Sequence, residues 1–395
     1  MENTIPKLLL GDELKQALQI LPEYDASIRN ASTSERLIAL TRICDIFYPS
    51  PMACEIYSKL YFAYINAIKR KYNYNLGLQA PCGIMGNNDS FSIIGASGIG
   101  KSSAIGRAIY AISQDKIVNI NNGKVIPFLV VQTPSDASIK GLLLEILRLV
   151  DEHLGTSYHN DAIRSRATLD MLIGLSSKVF FNHIGVIVLD EIQNLVGTKS
   201  GYSLVKSIVQ MVNASSISIC FVGTFEVVSF FESFFHLARR SIGLSYDGLK
   251  NDECFENLCQ TLYKYQYTKN YVPLTHETIN WLYMHSQGVL AIVVGLIYSA
   301  QQIAILEGKE CLNIQTLHQA YQERFGMLHT HLDIPSRNGC CSKKCGEELF
   351  LDVLKTHQIN SEPLSLVEVI NNLKKQNKDI MVHLRDYISV EELTL

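Results

Sequence analysis

The sequence has few of the features that mark fibrous, disordered or membrane-spanning chains. Its 395 residues include one tryptophan, 10 prolines and 24 glycines, and only 18% are charged. So little proline and glycine excludes collagen-like and low-complexity chains, and 47% apolar residues exclude a largely disordered one. The longest apolar run, residues 288–300, is shorter than the ~18 residues that cross a bilayer. We therefore expect an ordered globular protein with no membrane partner.

An excess of charge of either sign is also missing. The chain has 35 Lys and Arg against 38 Asp and Glu, a formal net charge of -3. This balance excludes a protein that holds nucleic acid through bulk positive charge, although a local basic stripe remains compatible with it. The 10 cysteines are irregularly spaced, and the N-terminus lacks the basic and apolar regions of a secretory signal. We expect reduced thiols and a cytoplasmic location.

Apolar periodicity divides the chain into four parts. We predict a helical N-terminal region over 1–80, an α/β nucleotide-binding core over 81–250, a small helical lid over 251–326 and a C-terminal tail over 327–395. In the core, short apolar runs alternate with helical patterns, which predicts a central parallel sheet between helices. The predicted strands are 91–94, 126–131, 184–189, 217–223 and 241–246, and the predicted core helices are 101–114, 138–153, 167–181, 200–214 and 226–238.

A phosphate-binding motif follows the first predicted strand and opens the first predicted core helix. The segment Gly95-Ala96-Ser97-Gly98-Ile99-Gly100-Lys101-Ser102, with Ser103 after it, matches G-x-x-x-x-G-K-[ST]. In such a loop the backbone N–H groups surround phosphate oxygens, the lysine neutralises the β- and γ-phosphates, and the hydroxyl ligates magnesium. Residues 95–103 are therefore the candidate ATP-binding residues.

Two carboxylates end another apolar strand. Asp190 and Glu191 directly follow Gly185-Val186-Ile187-Val188-Leu189. We predict that Asp190 completes the Mg²⁺ site with Ser102, while Glu191 orients and polarises the attacking water. Glu191 thus favours ATP hydrolysis over simple nucleotide retention. The predicted strand 126–131 lies between the two motifs in the sequence, which places the acidic strand away from its sequence neighbour. This arrangement fits the branch of P-loop proteins that has an additional strand and a catalytic glutamate.

Polar residues after the next strand extend this candidate site. Thr224 is predicted either to contact the γ-phosphate and its water or to cap the following helix. Arg239 and Arg240 end that helix, where one of them could reach the nucleotide of a neighbouring subunit and stabilise the developing charge. The alternative is a basic helix C-terminus that complements the helix dipole.

The motifs, in this order, resemble an AAA+ ATPase. More narrowly, the phosphate loop, Phe221-Val222-Gly223-Thr224, Ala238-Arg239-Arg240 and residues 286–301 resemble TnsC, a family of ATP-dependent transposition regulators related to TniB and MuB. The resemblance covers about residues 45–326. It implies an ATPase that uses ATP and Mg²⁺ and self-associates into a ring or filament on double-stranded DNA. It also implies coupling between a TnsD- or TniQ-like target selector, in some systems CRISPR-associated, and TnsA/TnsB-like transposase subunits, with hydrolysis resetting the assembly.

The resemblance also suggests DNA contacts and shows one departure. Family members touch DNA phosphates from the segment between the two motifs, which here offers Thr133, Lys140, Arg164 and Arg166. These contacts are few, but many subunits on one duplex add theirs together. For Lys140 the alternative is a solvated lysine on a helix face. The departure lies in the lid, where the turn Gly288-Val289-Leu290-Ala291 has no arginine at the place of a common second nucleotide sensor.

Other interpretations stay open. A replication-initiator-like AAA+ ATPase would share the nucleotide motifs, and a NACHT-like signalling scaffold would hold nucleotide without binding DNA. In the tail, Cys340, Cys341 and Cys345 are close together, but their spacing fits a closed zinc site poorly, and a thiol-bearing linker is the simpler interpretation. The position of the tail outside the ATPase core favours docking to the transposase.

Overall fold

The protein was analysed as a computed structural model, which describes residues 5–75, 90–114, 116–120, 123–134, 138–195, 208, 217–228 and 244–325. The chain divides into two units, Met1–Leu332 and Asp333–Leu395, and every described residue lies in the first. None of the helices that the structure describes has both the length and the apolar character needed to span a bilayer.

Among the residues that the structure describes, six strands form one sheet. They are β1 Phe91–Gly95, β2 Val118–Ile120, β3 Gly123–Gln132, β4 Ile184–Asp190, β5 Ser218–Gly223 and β6 Leu244–Tyr246. Their order across the sheet is β2-β3-β4-β5-β1-β6. Five of the strands run parallel, and β2 pairs antiparallel with β3 at one edge.

The additional strand that separates the two nucleotide motifs in the sheet is β5, whereas the predicted strand 126–131, which lies between the motifs in the sequence, is β3 and pairs with the other edge of β4. In the sheet, β5 lies between β1, which leads into the phosphate loop, and β4, which ends in the carboxylates. All residues of β1, β4 and β5 are buried, as expected for central strands of a parallel sheet that is covered on both faces. This α/β architecture, with the additional strand beside β1 and a helical lid after β6, is the AAA+ fold and confirms the predicted fold class.

Helices cover the two faces of the sheet with separate apolar clusters. On one face α5 Ile139–Leu154, α6 Tyr158–Arg164 and α7 Leu169–His183 pack over β3, β4 and β5. On the other face α4 Lys101–Ser113 packs with α1 Gly11–Leu18 and α3 Pro51–Asn75. The helices α1 and α3, which lie in the predicted N-terminal region, therefore share one apolar cluster with the nucleotide-binding sheet.

Local sequence signals explain where several helices begin. The side chains of Ser138 and Thr168 accept hydrogen bonds from backbone N–H groups at the starts of α5 and α7. Ser32 forms a capping box with Glu35 at the start of the helix Thr33–Leu40, which is α2. Strand β2 and helix α6 are absent from the sequence prediction, because each is too short for its periodicity to stand out. Helix α2 spans Thr33–Leu40, between the 3₁₀ turns Ala26–Asn30 and Thr41–Asp45.

The lid contains four helices and a terminal π-helical turn. They are α8 Glu253–Tyr263, α9 His276–Ser286, α10 Leu290–Leu306, α11 Ile314–Ala320 and the turn Tyr321–Phe325. The apolar run that the sequence showed in this region forms α10, whose residues are largely buried against the rest of the lid and α2. It is a core helix of the lid.

The segment between α1 and α3 bridges to the lid. The Arg36 guanidinium donates to both carboxylate oxygens of Glu310, at 2.6 and 2.8 Å, and to the Tyr267 carbonyl at 3.2 Å. The Tyr265 hydroxyl donates to the Pro22 carbonyl at 2.9 Å. At the other end of this segment, Arg107 on α4 donates to the Leu18 carbonyl at 2.9 Å. Residues 18–36 therefore contact both the α/β core and the lid.

Candidate active site

The phosphate loop runs from the end of β1 to the start of α4. Gly98 and Gly100 have φ of +81° and +91°, the left-handed region that glycine adopts without steric strain. These two residues turn the loop so that α4 begins at Lys101 with its free N–H groups toward the cleft. The loop residues that line the cleft are Ser97, Gly98, Gly100, Lys101, Ser102 and Ser103.

The other three predicted loop residues have supporting contacts. Ile99 is buried in the apolar cluster beside α4, so its side chain anchors the loop. A Cβ at Gly95 would lie 2.4 Å from the Tyr246 carbonyl oxygen, so only glycine allows β1 to end this close to β6. The carbonyls of Gly95 and Ala96 accept hydrogen bonds from the Lys101 ammonium at 2.7 and 2.8 Å.

Lys101 is thus held by the loop itself. Burial lowers the pKa of Lys101, while the nearby carboxylates of Asp190 and Glu191 raise it. The loop carbonyls keep the ammonium hydrogen-bonded although it is partly buried. A phosphate that binds in the loop has to compete with these two carbonyls for the lysine.

The predicted magnesium pair is assembled at the carboxyl edge of the sheet. The Ser102 hydroxyl donates to Asp190 Oδ2 at 2.8 Å, across 88 residues of sequence. Asp190 Oδ1 accepts from the Glu191 N–H at 2.9 Å, and Asp190 is only 9% exposed. A hydroxyl and a carboxylate are hard oxygen ligands, the type that Mg²⁺ prefers. Ser102 and Asp190 therefore fit a magnesium ion.

Glu191 has an unusual backbone conformation. Its φ of +58° is in the left-handed region, which costs a non-glycine residue about 1 kcal/mol or more. The hydrogen bond from its N–H to Asp190 helps to hold this conformation. Its carboxylate lines the cleft and accepts a hydrogen bond from the Gln193 side-chain amide. Gln193 was missed by sequence reasoning, and its position two residues after Glu191 was the one signal available.

Thr224 follows β5 and lines the same cleft. Its hydroxyl oxygen is buried and has no hydrogen-bond partner among the described residues. The hydroxyl therefore forms no N-cap bond to the turn that follows, although the Thr224 carbonyl accepts from the Val227 N–H at 3.2 Å. Of the two predicted roles for Thr224, this geometry favours the one in which the hydroxyl faces the ligand.

The segment that contains the phosphate loop, the carboxylate pair and β5 matches a known family. Residues 78–241 match the family model TniB, described as Bacterial TniB protein. TniB is a transposition-associated family of AAA+ P-loop ATPases related to TnsC and MuB, so the predicted resemblance is confirmed. The TniB match includes the whole phosphate loop, Asp190, Glu191 and Thr224, whereas the lid lies outside it.

Several solved structures resemble the chain. The structure of the Aeropyrum pernix ORC1 protein in complex with DNA is 14% identical, with a TM-score of 0.43, over 83% of this chain and 78% of that one. Drosophila ORC bound to DNA is 13% identical, with a TM-score of 0.48, over 94% of this chain and 83% of that one. At these identities the likeness concerns the fold alone. No curated protein sequence matches the chain.

Beyond the TniB match, the lid touches the phosphate loop directly. The Ala291 N–H at the start of α10 donates to the Gly98 carbonyl at 3.0 Å. A Cβ at Gly98 would lie 3.1 Å from the Ala291 Cβ, so the loop and the lid helix are in close contact there. The turn that lacks an arginine therefore contacts the loop through its main chain and small side chains.

One of the four residues predicted to contact DNA is buried in this structure. Thr133 is only 4% exposed, and its N–H donates to the Asp190 carbonyl at 2.9 Å. Thr133 follows β3 at the carboxyl edge of the sheet, where it packs beside β4. Lys140, Arg164 and Arg166 are exposed, and they stay candidates.

The remaining predicted residues lie outside the described part of the chain. These are Arg239, Arg240, Cys340, Cys341 and Cys345, together with the tail. Across the residues that the structure does describe, no group of three or more His, Cys, Asp or Glu side chains could hold a metal ion. The six described cysteines are free thiols.

Proposed function

We propose that this chain is a magnesium-dependent ATPase that regulates DNA transposition by assembling on double-stranded DNA. The observation that carries the proposal is the cleft in which a phosphate loop, the Ser102–Asp190 pair and Glu191 meet inside a segment that matches TniB. A protein that only stored nucleotide would not need the strained, cleft-facing carboxylate of Glu191.

The residues of the cleft fit ATP and Mg²⁺. The N–H groups at the start of α4 would bind phosphate oxygens, and Lys101 would leave the loop carbonyls to neutralise them. Ser102 and Asp190 would hold Mg²⁺, which supplies charge neutralisation at the β- and γ-phosphates. Glu191 would take a proton from the attacking water, and the buried Thr224 hydroxyl would find its missing partner in that water or in the phosphate.

The partners of the chain belong to the same proposal. Lys140, Arg164 and Arg166 are exposed cations that would contact DNA phosphates, one or two per subunit, so binding would depend on self-association into a ring or filament. Arg239 or Arg240 would act on the nucleotide of the adjoining subunit. The assembly would couple a TnsD- or TniQ-like target selector to TnsA/TnsB-like transposase subunits, with residues 327–395 as the transposase-docking tail.

The proposal is tested by combining assembly and hydrolysis measurements on the full chain. We expect ATP, Mg²⁺ and duplex DNA together to give large DNA-bound particles in sedimentation and electron microscopy, and to change the ATPase rate. A chain that stays monomeric with all three at saturation would overturn the DNA-assembly proposal. If ATP hydrolysis and assembly do not change when duplex DNA is added, the result would instead favour a NACHT-like signalling scaffold.

A further inference from the structure

Gln193 lies between the end of the strand that leads to the carboxylates and the end of β5, next to Thr224. It lies in the 3₁₀ turn Ile192–Leu195, directly after Glu191. The turn is fixed to its surroundings, because Ile192 is buried and the Asn194 side-chain amide donates to the Thr133 carbonyl at 3.1 Å. Gln193 is therefore held on a rigid part of the fold next to the cleft.

The two ends of the Gln193 carboxamide have different surroundings. Its nitrogen donates to Glu191 Oε2, whereas its oxygen is buried without a hydrogen-bond partner in the described part of the chain. The opposite orientation of the amide would place two oxygens against each other, so the carboxylate fixes the orientation. A buried oxygen that lacks a donor costs about 1–3 kcal/mol, so this atom provides a strong site for a donor.

The same cleft contains a second atom of this kind. The Thr224 hydroxyl oxygen is also buried and unpartnered among the described residues, and both side chains line the cleft beside Glu191. Gly223 lies between them, and a Cβ at Gly223 would be 3.2 Å from Gln193 Oε1. The Gln193 oxygen therefore lies close to the end of β5, where a Cβ would also come within 2.8 Å of side-chain carbons of Ile192 and Val227.

From these contacts we infer that Gln193 is a positioning residue for the attacking water. Its amide nitrogen fixes the Glu191 carboxylate, and its oxygen accepts a hydrogen bond from the water while the Thr224 hydroxyl makes a second hydrogen bond to the same molecule. In the step, the water oxygen forms a bond to the γ-phosphorus and Glu191 takes the other water proton. The bond from the γ-phosphorus to the bridging oxygen breaks, and that oxygen leaves with ADP. This inference rests on the proposed ATPase function.

The test replaces Gln193 by two residues of similar length that lack the amide donor. Gln193→Met keeps the length of the side chain and removes both polar ends, whereas Gln193→Glu keeps an oxygen and removes the donor. We expect both variants to lower kcat about 10- to 100-fold, as the loss of a hydrogen bond to a charged group would. KM and the equilibrium affinity for a non-hydrolysable ATP analogue should stay within about twofold, because Gln193 acts on the water and not on the nucleotide.

A double variant tests whether Gln193 acts through Glu191. Adding Gln193→Met to Glu191→Gln should slow hydrolysis by a smaller factor than Gln193→Met does in the unmodified chain, since the part of its role that acts through the Glu191 carboxylate is already lost. The matched control is Gln315→Met, the same exchange at an exposed position of the lid helix α11. This control should leave kcat, analogue affinity and the apo-protein melting temperature unchanged.

The outcomes separate the two proposals. If the unmodified chain does not hydrolyse ATP, the proposed ATPase function fails, whatever the Gln193 variants do. If it hydrolyses ATP and Gln193→Met retains its kcat, the positioning role is overturned and the ATPase function stands. A Gln193→Met protein that loses analogue affinity or melts far below the Gln315→Met control also overturns the positioning role, because Gln193 would then be structural.

Discussion

The phosphate loop contacts two surfaces of different chemistry. On the side of the sheet edge it faces charged and polar side chains, with Ser102 on Asp190 and Glu191 nearby. On the side of the lid it meets a backbone hydrogen bond from Ala291 and small apolar atoms. The difference indicates that chemistry is concentrated at the sheet edge, whereas the lid side supplies shape and stability. Substitutions on the two sides should therefore alter different measured quantities.

The largest effect is expected for Glu191→Gln on the sheet-edge side. The substitution removes the base and preserves the size of the side chain, so kcat should fall about 10²- to 10⁴-fold. ATP binding should be retained, and DNA-bound assemblies should last longer. Steady-state hydrolysis, analogue binding and assembly lifetime measure the three effects. A Glu191→Gln protein with unchanged kcat would contradict the role of this carboxylate.

Lys101→Ala also tests the sheet-edge side of the phosphate loop, but its main effect should be on ATP affinity and not on kcat. Loss of a charge-assisted contact to phosphate should weaken ATP affinity about 10- to 100-fold and prevent ATP-dependent assembly. Burial lowers the pKa of Lys101, and the substitution removes that partly buried cation, so the apo protein should not become less stable. Equilibrium titration with an ATP analogue and thermal melting of the apo protein check the two statements. Equal ATP affinity of the unmodified chain and Lys101→Ala would contradict the binding role of Lys101, and a lower melting temperature of the apo variant would contradict the statement on stability.

Where residues 18–36 contact the lid, Arg36→Met should lower the free energy of unfolding more than it changes the rate of ATP hydrolysis. Arg36 is 1% exposed, and its substitution leaves the Glu310 carboxylate without its main partner. Breaking a buried ion pair on one side costs about 3–5 kcal/mol, measured as the free energy of unfolding in urea. The double variant Arg36→Met with Glu310→Gln should recover part of this loss. Additive losses in the double variant would argue against a coupled pair.

The same ion pair predicts a loss of stability in acid. The hydrogen bonds from Arg36 lower the pKa of Glu310 from its ordinary value of 4.5. A carboxylate with a lowered pKa in the folded protein stabilises it fully above the unfolded value and stops doing so as the pH falls through the folded value. The difference in stability between the unmodified chain and Glu310→Gln should therefore shrink below about pH 4.5.

The smallest effect is expected for Gly98→Ala at the contact between loop and lid. The added Cβ is strained at a φ of +81° and lies 3.1 Å from the Ala291 Cβ, so the free energy of unfolding should fall by about 1–2 kcal/mol. The matched control is Gly106→Ala in α4, where a Cβ meets no atom within 4 Å. This control should raise stability by up to about 1 kcal/mol. Equal changes in the two variants would contradict the contact.

The sequence allowed the sheet-edge side to be predicted much better than the lid side. The phosphate loop and the Asp190-Glu191 pair follow apolar strands at fixed offsets, so a local pattern was enough to find them. Gln193 and Thr133 show why the rest was not predictable. The role of Gln193 depends on its orientation in a 3₁₀ turn, and the burial of Thr133 depends on how β3 packs beside β4.

Contacts between residues far apart in the sequence also could not be predicted. The Arg36–Glu310 pair spans 274 residues, and neither residue belongs to a motif. The contact of Ala291 with Gly98 uses a main-chain donor, which every residue except proline provides. Such contacts cannot be recognised from the residue types in the sequence. The additional strand β5 was identified as a strand from its apolar run, but its place beside β1 came only from the pairing in the sheet.

The early segment that contacts both halves of the nucleotide-binding unit has a mechanical consequence. Arg107 ties its beginning to the α/β core, and the pairing of Arg36 with Glu310 ties its later part to the lid. Residues 18–36 therefore connect the α/β core to the lid a second time, in addition to the covalent link after β6. Rotation of one half against the other would therefore have to stretch residues 18–36 or break the Arg36–Glu310 ion pair.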